Sequence, residues 1–254
     1  MMPLNATTAI WTNLVPHSAI GTMFLYGALL WWRRHENRKQ RILLAVSLLI
    51  CGACLLFHLL TTCKEGMPES FPVLPVHPIY EGGWILLLLL FYPAEAIRPG
   101  WLGWKNALLL SLPVTVLSVV AAAVPFEFRE LHSCAEMLEY IGEPNVRFRL
   151  VTLSVFLLPY PVLRFCVPYR WQQSSVDAKW IRTYALGMQG VGVSYILFMG
   201  TGTPASGAIF LLCCTLFCVY AACQELHVRL FSNDGQALPE KTRNNITEHQ
   251  NKAL

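Results

Sequence analysis

Apolar residues in this chain gather in long runs rather than alternating with polar ones. Seven of these runs approach the roughly 20 residues that a helix needs to cross a bilayer core. They are Leu14 to Trp32, Ile42 to Thr62, Pro78 to Ile97, Ala107 to Pro125, Leu150 to Val167, Tyr184 to Gly200 and Ala208 to Leu230. Proline interrupts the first, third and fifth runs, at Pro16, at Pro93 and at the Pro159/Pro161 pair. Spanning helices tolerate proline where neighbours satisfy the freed carbonyls, so all three stay in the map, and the fifth is expected to kink. The expected fold is all-α, a polytopic membrane bundle of seven transmembrane helices formed by residues 1–231. A short disordered cytoplasmic tail, 232–254, follows because that stretch is polar and lacks hydrophobic periodicity.

The polar stretches between the runs set the direction. Of the basic residues, 15 fall in the tail and in the connections after runs one, three and five, among them Arg33, Arg41, Arg98, Lys105, Arg164 and Lys179. Lys64, Arg129, Arg147 and Arg149 fall on the other side. Basic residues concentrate on the cytoplasmic face, which places the N-terminus outside and the C-terminus inside. Tryptophan favours the headgroup level, and all eight tryptophans lie near run ends, none in mid-span. Two outer connections are long. Cys63 to His77 is rich in proline, and Phe126 to Val146 is acidic, with a short surface helix expected from Phe128 to Tyr140.

Composition agrees with a membrane address. Only 13% of residues are charged and 55% are apolar, whereas a soluble domain carries about a quarter charged. The mean hydropathy is +0.46. No basic block is long enough for a nucleic-acid groove. No Lys or Arg precedes Arg33, so a cleavable signal peptide is not expected and the first run should remain as an anchor.

Candidate chemistry is sparse. Glu95 lies inside the third run near its cytoplasmic end, where an ionised carboxylate needs a partner. Arg98 is three residues on and shares a helix face with it. The two form either an interfacial ion pair that fixes helix depth or a polar switch beneath a ligand pocket. His17, His58 and His77 lie near the outer ends of runs one to three, as separate interfacial histidines or as parts of a ligand site. No metal-ligand spacing is present, and no metal or cofactor is expected. Cys51-Gly52-Ala53-Cys54 is a C-x-x-C in mid-span, where a reactive thiolate would be badly desolvated. Cys63 and Cys134 both sit in outer connections and are a candidate disulfide. Gly187, Gly190, Gly192 and Ser194 form a small-residue packing face. No enzyme signature stands out.

The stretch Phe91-Tyr92-Pro93-Ala94-Glu95-Ala96-Ile97-Arg98-Pro99-Gly100-Trp101-Leu102 resembles the membrane-embedded sensor region of membrane-anchored AraC-type regulators. Arg170-Trp171, Lys179-Trp180-Ile181-Arg182 and the glycine-rich sixth run add to the likeness. The resemblance implies a multi-pass sensor in a bacterial inner membrane. In that family a cytoplasmic helix-turn-helix domain follows, on the order of 100 residues at the small end of domain sizes. Here 23 residues follow Phe231. The expectation is therefore a sensor or signalling subunit without direct nucleic-acid binding. It would act through a separate cytoplasmic transcription regulator or other signalling protein, or else be a degenerate remnant. Its oligomeric state is open. Two other readings stay open: a membrane thiol oxidoreductase using Cys51 and Cys54 with Cys63 and Cys134, and a small transporter.

Overall fold

The structure is a computed structural model, and it describes residues 14–36, 39–65, 71–124, 127–168, 174, 176 and 178–228. The expected tail 232–254 lies outside them. Helices occupy the apolar runs: α1 Val15–Trp32, α2 Lys39–Glu65, α3 Val76–Ile97 and α4 Trp104–Ala123. A short α5, Cys134–Glu139, precedes α6, Pro144–Cys166. The last two are α7, Ala178–Thr201, and α8, Pro204–Cys223, which runs on as a π turn, Gln224–Val228. Four of these helices, α2, α4, α6 and α8, are long and apolar enough to cross a membrane. By length and composition this is an all-helical membrane protein.

Small residues set how closely the helices approach. On α1, a methyl group added at Gly27 would come within 2.9 Å of the Leu49 side chain on α2, and Gly52 lies against Met23. Backbones can approach this closely only where side chains are small. From the α1–α2 pair, contacts run α2 to α3, α3 to α7, α7 to α8 and α8 back to α1, which closes a ring. Ser47 ties α2 to α3 by donating to the Leu88 carbonyl at 2.9 Å. α6 packs on α3 and α7, and α4 lies outside on α3. On α4 only Val114 is buried. Leu108, Leu109, Leu112, Val116 and Val119 are exposed, a face suited to hydrocarbon rather than water.

The kink expected in the fifth run is present, and its chemistry is visible. Pro159 and Pro161 have no N–H to donate. The helix passes from Pro144–Ser154 through a 3-10 turn, Val155–Leu157, and the turn Pro159–Pro161 into a π turn, Val162–Cys166. Gln189 of α7 bridges the break. Its Nε2 donates to the Phe156 carbonyl and its Oε1 accepts from the Tyr160 N–H, both at 3.4 Å. Gly192 faces the same Phe156 carbonyl where a side chain would stand. Of the expected small-residue face, Gly192 meets α6 and Gly187 meets Phe217 of α8, while Gly190 faces open space.

The segment at 71–75 crosses the end of the ring and is held by its backbone. The Phe71 N–H donates to Gly202 O at 2.8 Å, Leu74 N–H to Met199 O at 2.8 Å and Val73 N–H to Leu131 O at 2.7 Å. Gly202 (φ 61°) turns the chain between α7 and α8, and the Phe71 carbonyl occupies the space a side chain there would need. The surface helix expected from Phe128 to Tyr140 is shorter, at Cys134–Glu139. Ser133 caps it by accepting from the Glu136 N–H at 3.2 Å, and the Glu136 carboxylate accepts from the His132 N–H at 2.7 Å. This near-reciprocal cap starts the helix at Cys134. Leu131 upstream is drawn into its pairing with Val73.

Candidate functional site

A cavity of about 390 Å³ lies inside the ring, at the end that carries 71–75. Phe71, Pro72 and Pro75 line it at that end, and Cys51, Leu89 and Cys214 line it near mid-helix. Phe156 of α6 and Tyr195, Phe198 and Phe210 give it aromatic walls. The Tyr195 hydroxyl donates to the Pro78 carbonyl. Gly82 leaves room for that ring, since an added methyl would stand 2.7 Å from Tyr195 Oη.

The wall is largely apolar, and besides Tyr195 and the cysteines it carries one pair of charged or chargeable groups. His58 Nε2 on α2 and the Glu81 carboxylate on α3 are 2.6 Å apart, and both are half-buried. An enclosure of this size, mostly apolar with a few placed polar groups, suits a small molecule. Cys51 and Cys54 are both on the wall, and Cys51 is buried beside Cys214. Among the described residues no group of three or more His, Cys, Asp or Glu side chains is placed to hold a metal ion.

The opposite end of the ring is polar but closed. Arg41 near the start of α2 is 1% exposed and meets Glu225 of the α8 extension, 0% exposed, with Nε 3.5 Å from Oε1. The Tyr92 hydroxyl of α3 donates to the other oxygen of Glu225 at 2.9 Å. Trp180 and Tyr184 of α7 pack edge-on and tilted against the Tyr92 ring. Three helices, α2, α3 and α8, thus meet at one buried ion pair.

Glu95 is next to this cluster and is 4% exposed. Its partner is not Arg98. The carboxylate accepts from the backbone N–H groups of Gly100, at 2.7 Å, and Leu102, at 3.2 Å. Gly100 (φ 81°) lets the chain fold back beneath the helix so that both amides face it. Among the described residues Arg98 makes no ion pair with Glu95. An acid held by two amides needs no cation.

The candidate residues therefore divide. His58 lines the first cavity and His77 lines a second one beyond α3, while His17 is exposed on α1. The three histidines do not converge. Cys134 is exposed with a free thiol. The Cys63 side chain lies outside the described residues, and with it the expected Cys63–Cys134 bridge. Sequence reading missed Arg41, Glu81, Glu225 and Arg149. Arg41 and Arg149 sit at the margins of apolar runs and count as loop charges there. Glu225, an acid within a predicted span, was the available signal. Comparison with protein-family models, with curated proteins and with solved structures finds no match to this chain.

Proposed function

We propose that this chain is a seven-span membrane sensor, N-terminus outside and C-terminus cytoplasmic, whose ligand is a small apolar molecule with one hydrogen-bonding group. The observation that carries the reading is the cavity inside the ring, largely apolar with the His58–Glu81 pair on its wall. The bias of basic residues favours this orientation, and it puts the cavity on the outer side. α1, α3 and α7, at 18, 22 and 24 residues, are about 27–36 Å long, enough to span. They differ from the other four in polarity rather than length. Glu95 is buried, Glu81 faces the cavity and Gln189 faces α6, so none of these polar groups has to meet lipid.

The same helices supply a route for output. α2, α3 and α8 line the cavity with Leu55, Leu89 and Cys214, and they meet again at Arg41, Tyr92 and Glu225. A ligand that changes their spacing acts on that buried joint at the cytoplasmic end. There the signal passes to a separate cytoplasmic partner, in keeping with the likeness to AraC-type sensor regions.

Fluorescence titration tests the pocket. The probe 1-aminoanthracene, an apolar ring system with one amine, should bind the purified chain saturably. Leu55→Trp, which fills the cavity, should lose that binding while the protein still folds. Equal binding by both proteins would refute the pocket. For orientation, native Cys134 should react with an impermeant maleimide in intact cells, and a cysteine at Lys105 only after permeabilisation.

A further inference from the structure

A second cavity, of about 660 Å³, lies on the other face of α3, between α3, α4, residues 128–131 and α6. Arg149, in the second turn of α6, forms part of its wall and is 2% exposed. A guanidinium stays charged in proteins, so this is a buried cation. Its hydrogen bonds are to neutral oxygens only. Nη1 donates to Leu74 O at 3.0 Å, and Nη2 donates to Arg129 O at 3.0 Å and to Asn145 Oδ1 at 3.2 Å. Nε has no acceptor. Among the described residues no carboxylate lies within ion-pair distance of it. Glu143 is near enough for its field to reach Arg149, but its carboxylate accepts from Asn145 instead. Glu130 is on the cavity rim and exposed.

A second polar atom on the same wall, the Tyr80 hydroxyl, is buried and makes no hydrogen bond of ordinary geometry; the Thr152 side chain beside it donates to the Phe148 carbonyl instead. The rest of the wall is largely apolar, with Val76, Trp84, Phe128 and Leu131. Buried donors at a cation with no counter-ion are what an oxyanion requires. Burial is costly for a charge unless it is compensated, and a bound anion supplies the compensation.

We infer that this cavity binds an oxyanion joined to an apolar group, the oxyanion accepting hydrogen bonds from Arg149 and Tyr80. The inference is independent of the ring cavity, because it uses the opposite face of α3. The oxyanion is that of a free organic anion or that of a lipid headgroup, and the probes distinguish the two. The full chain is purified in a neutral maltoside detergent, and its thermal unfolding midpoint is followed against probe concentration. Phenyl phosphate represents the free anion and dihexanoyl phosphatidic acid the headgroup. Benzyl alcohol and dihexanoyl glycerol are their uncharged counterparts.

At least one anionic probe should raise the midpoint saturably while its uncharged counterpart does not. A response to phenyl phosphate assigns the free anion, and a response to phosphatidic acid alone assigns the lipid. Tyr80→Phe keeps the ring and the Arg149 contacts, and should weaken binding about tenfold. Arg149→Lys should abolish it. If neither anion exceeds its uncharged counterpart, the inference fails. It also fails if Tyr80→Phe binds as tightly as the parent chain, a result that decides the matter even where Arg149→Lys does not fold.

Discussion

Arg41 and Arg149 are buried to almost the same degree, at 1% and 2% exposure, at opposite ends of one bundle. Arg41 meets a carboxylate that is itself wholly buried, and a tyrosine hydroxyl completes that carboxylate. Arg149 hydrogen-bonds to carbonyl and amide oxygens alone, lies over the Phe128 ring, and keeps an N–H without an acceptor beside a cavity. Burial alone therefore does not reveal what a charge does in this protein. A cation closed by an anion joins helices. A cation held by dipoles fixes a loop and is left without a counter-ion among the described residues.

The contrast can be broken first at the joint. Glu225→Leu leaves Arg41 buried without its counter-charge and should cost about 3–5 kcal/mol, whereas Arg41→Met with Glu225→Leu should recover most of the loss. Denaturant titration of both variants in mixed micelles measures this. Arg149→Met removes three hydrogen bonds but also an uncompensated charge, so it should cost less, about 2–3 kcal/mol. A loss matching that of Glu225→Leu would mean that the two arginines play the same part.

Smaller effects sharpen the picture. Glu95→Ala should cost about 1–2 kcal/mol, because two amides lose their acceptor near the surface, where water replaces part of it. Arg98→Ala should stay within about 0.5 kcal/mol; a loss as large as that of Glu95→Ala would restore the ion pair between them. His58→Gln can keep a hydrogen bond to Glu81 in a half-exposed pair, so stability should change by less than about 1 kcal/mol. Its effect should appear in ligand affinity, read by the aminoanthracene titration.

The helices were legible because lipid demands long apolar runs, and each of the seven runs holds one. Their ends shifted by a few residues where polar caps decide them. α8 begins at Pro204 because Thr203 accepts from the Ser206 N–H, a signal that hydropathy does not weigh. The break in α6 was legible from Pro159 and Pro161, but its repair by Gln189 was not, since that residue arrives from another helix. The site was less legible for the same reason. Whether Arg41 or Arg149 turns inward depends on what stands opposite. Nor does the spacing of Glu95 and Arg98 reveal that Gly100 will bring two amides closer than the arginine.

The Gln189 bridge also bears on how this protein can be divided. The hydrogen-bond ladder of α6 is completed by an amide from α7, and its displaced Phe156 carbonyl finds space only because position 192 is glycine. A chimera that exchanges α7 alone would open α6 at Tyr160, and one that exchanges α6 for an unbroken helix would leave Gln189 facing a ladder with no gap. The interchangeable module is thus not the single helix but the block from Phe156 to Gly192, and segment swaps that respect this boundary are those expected to fold.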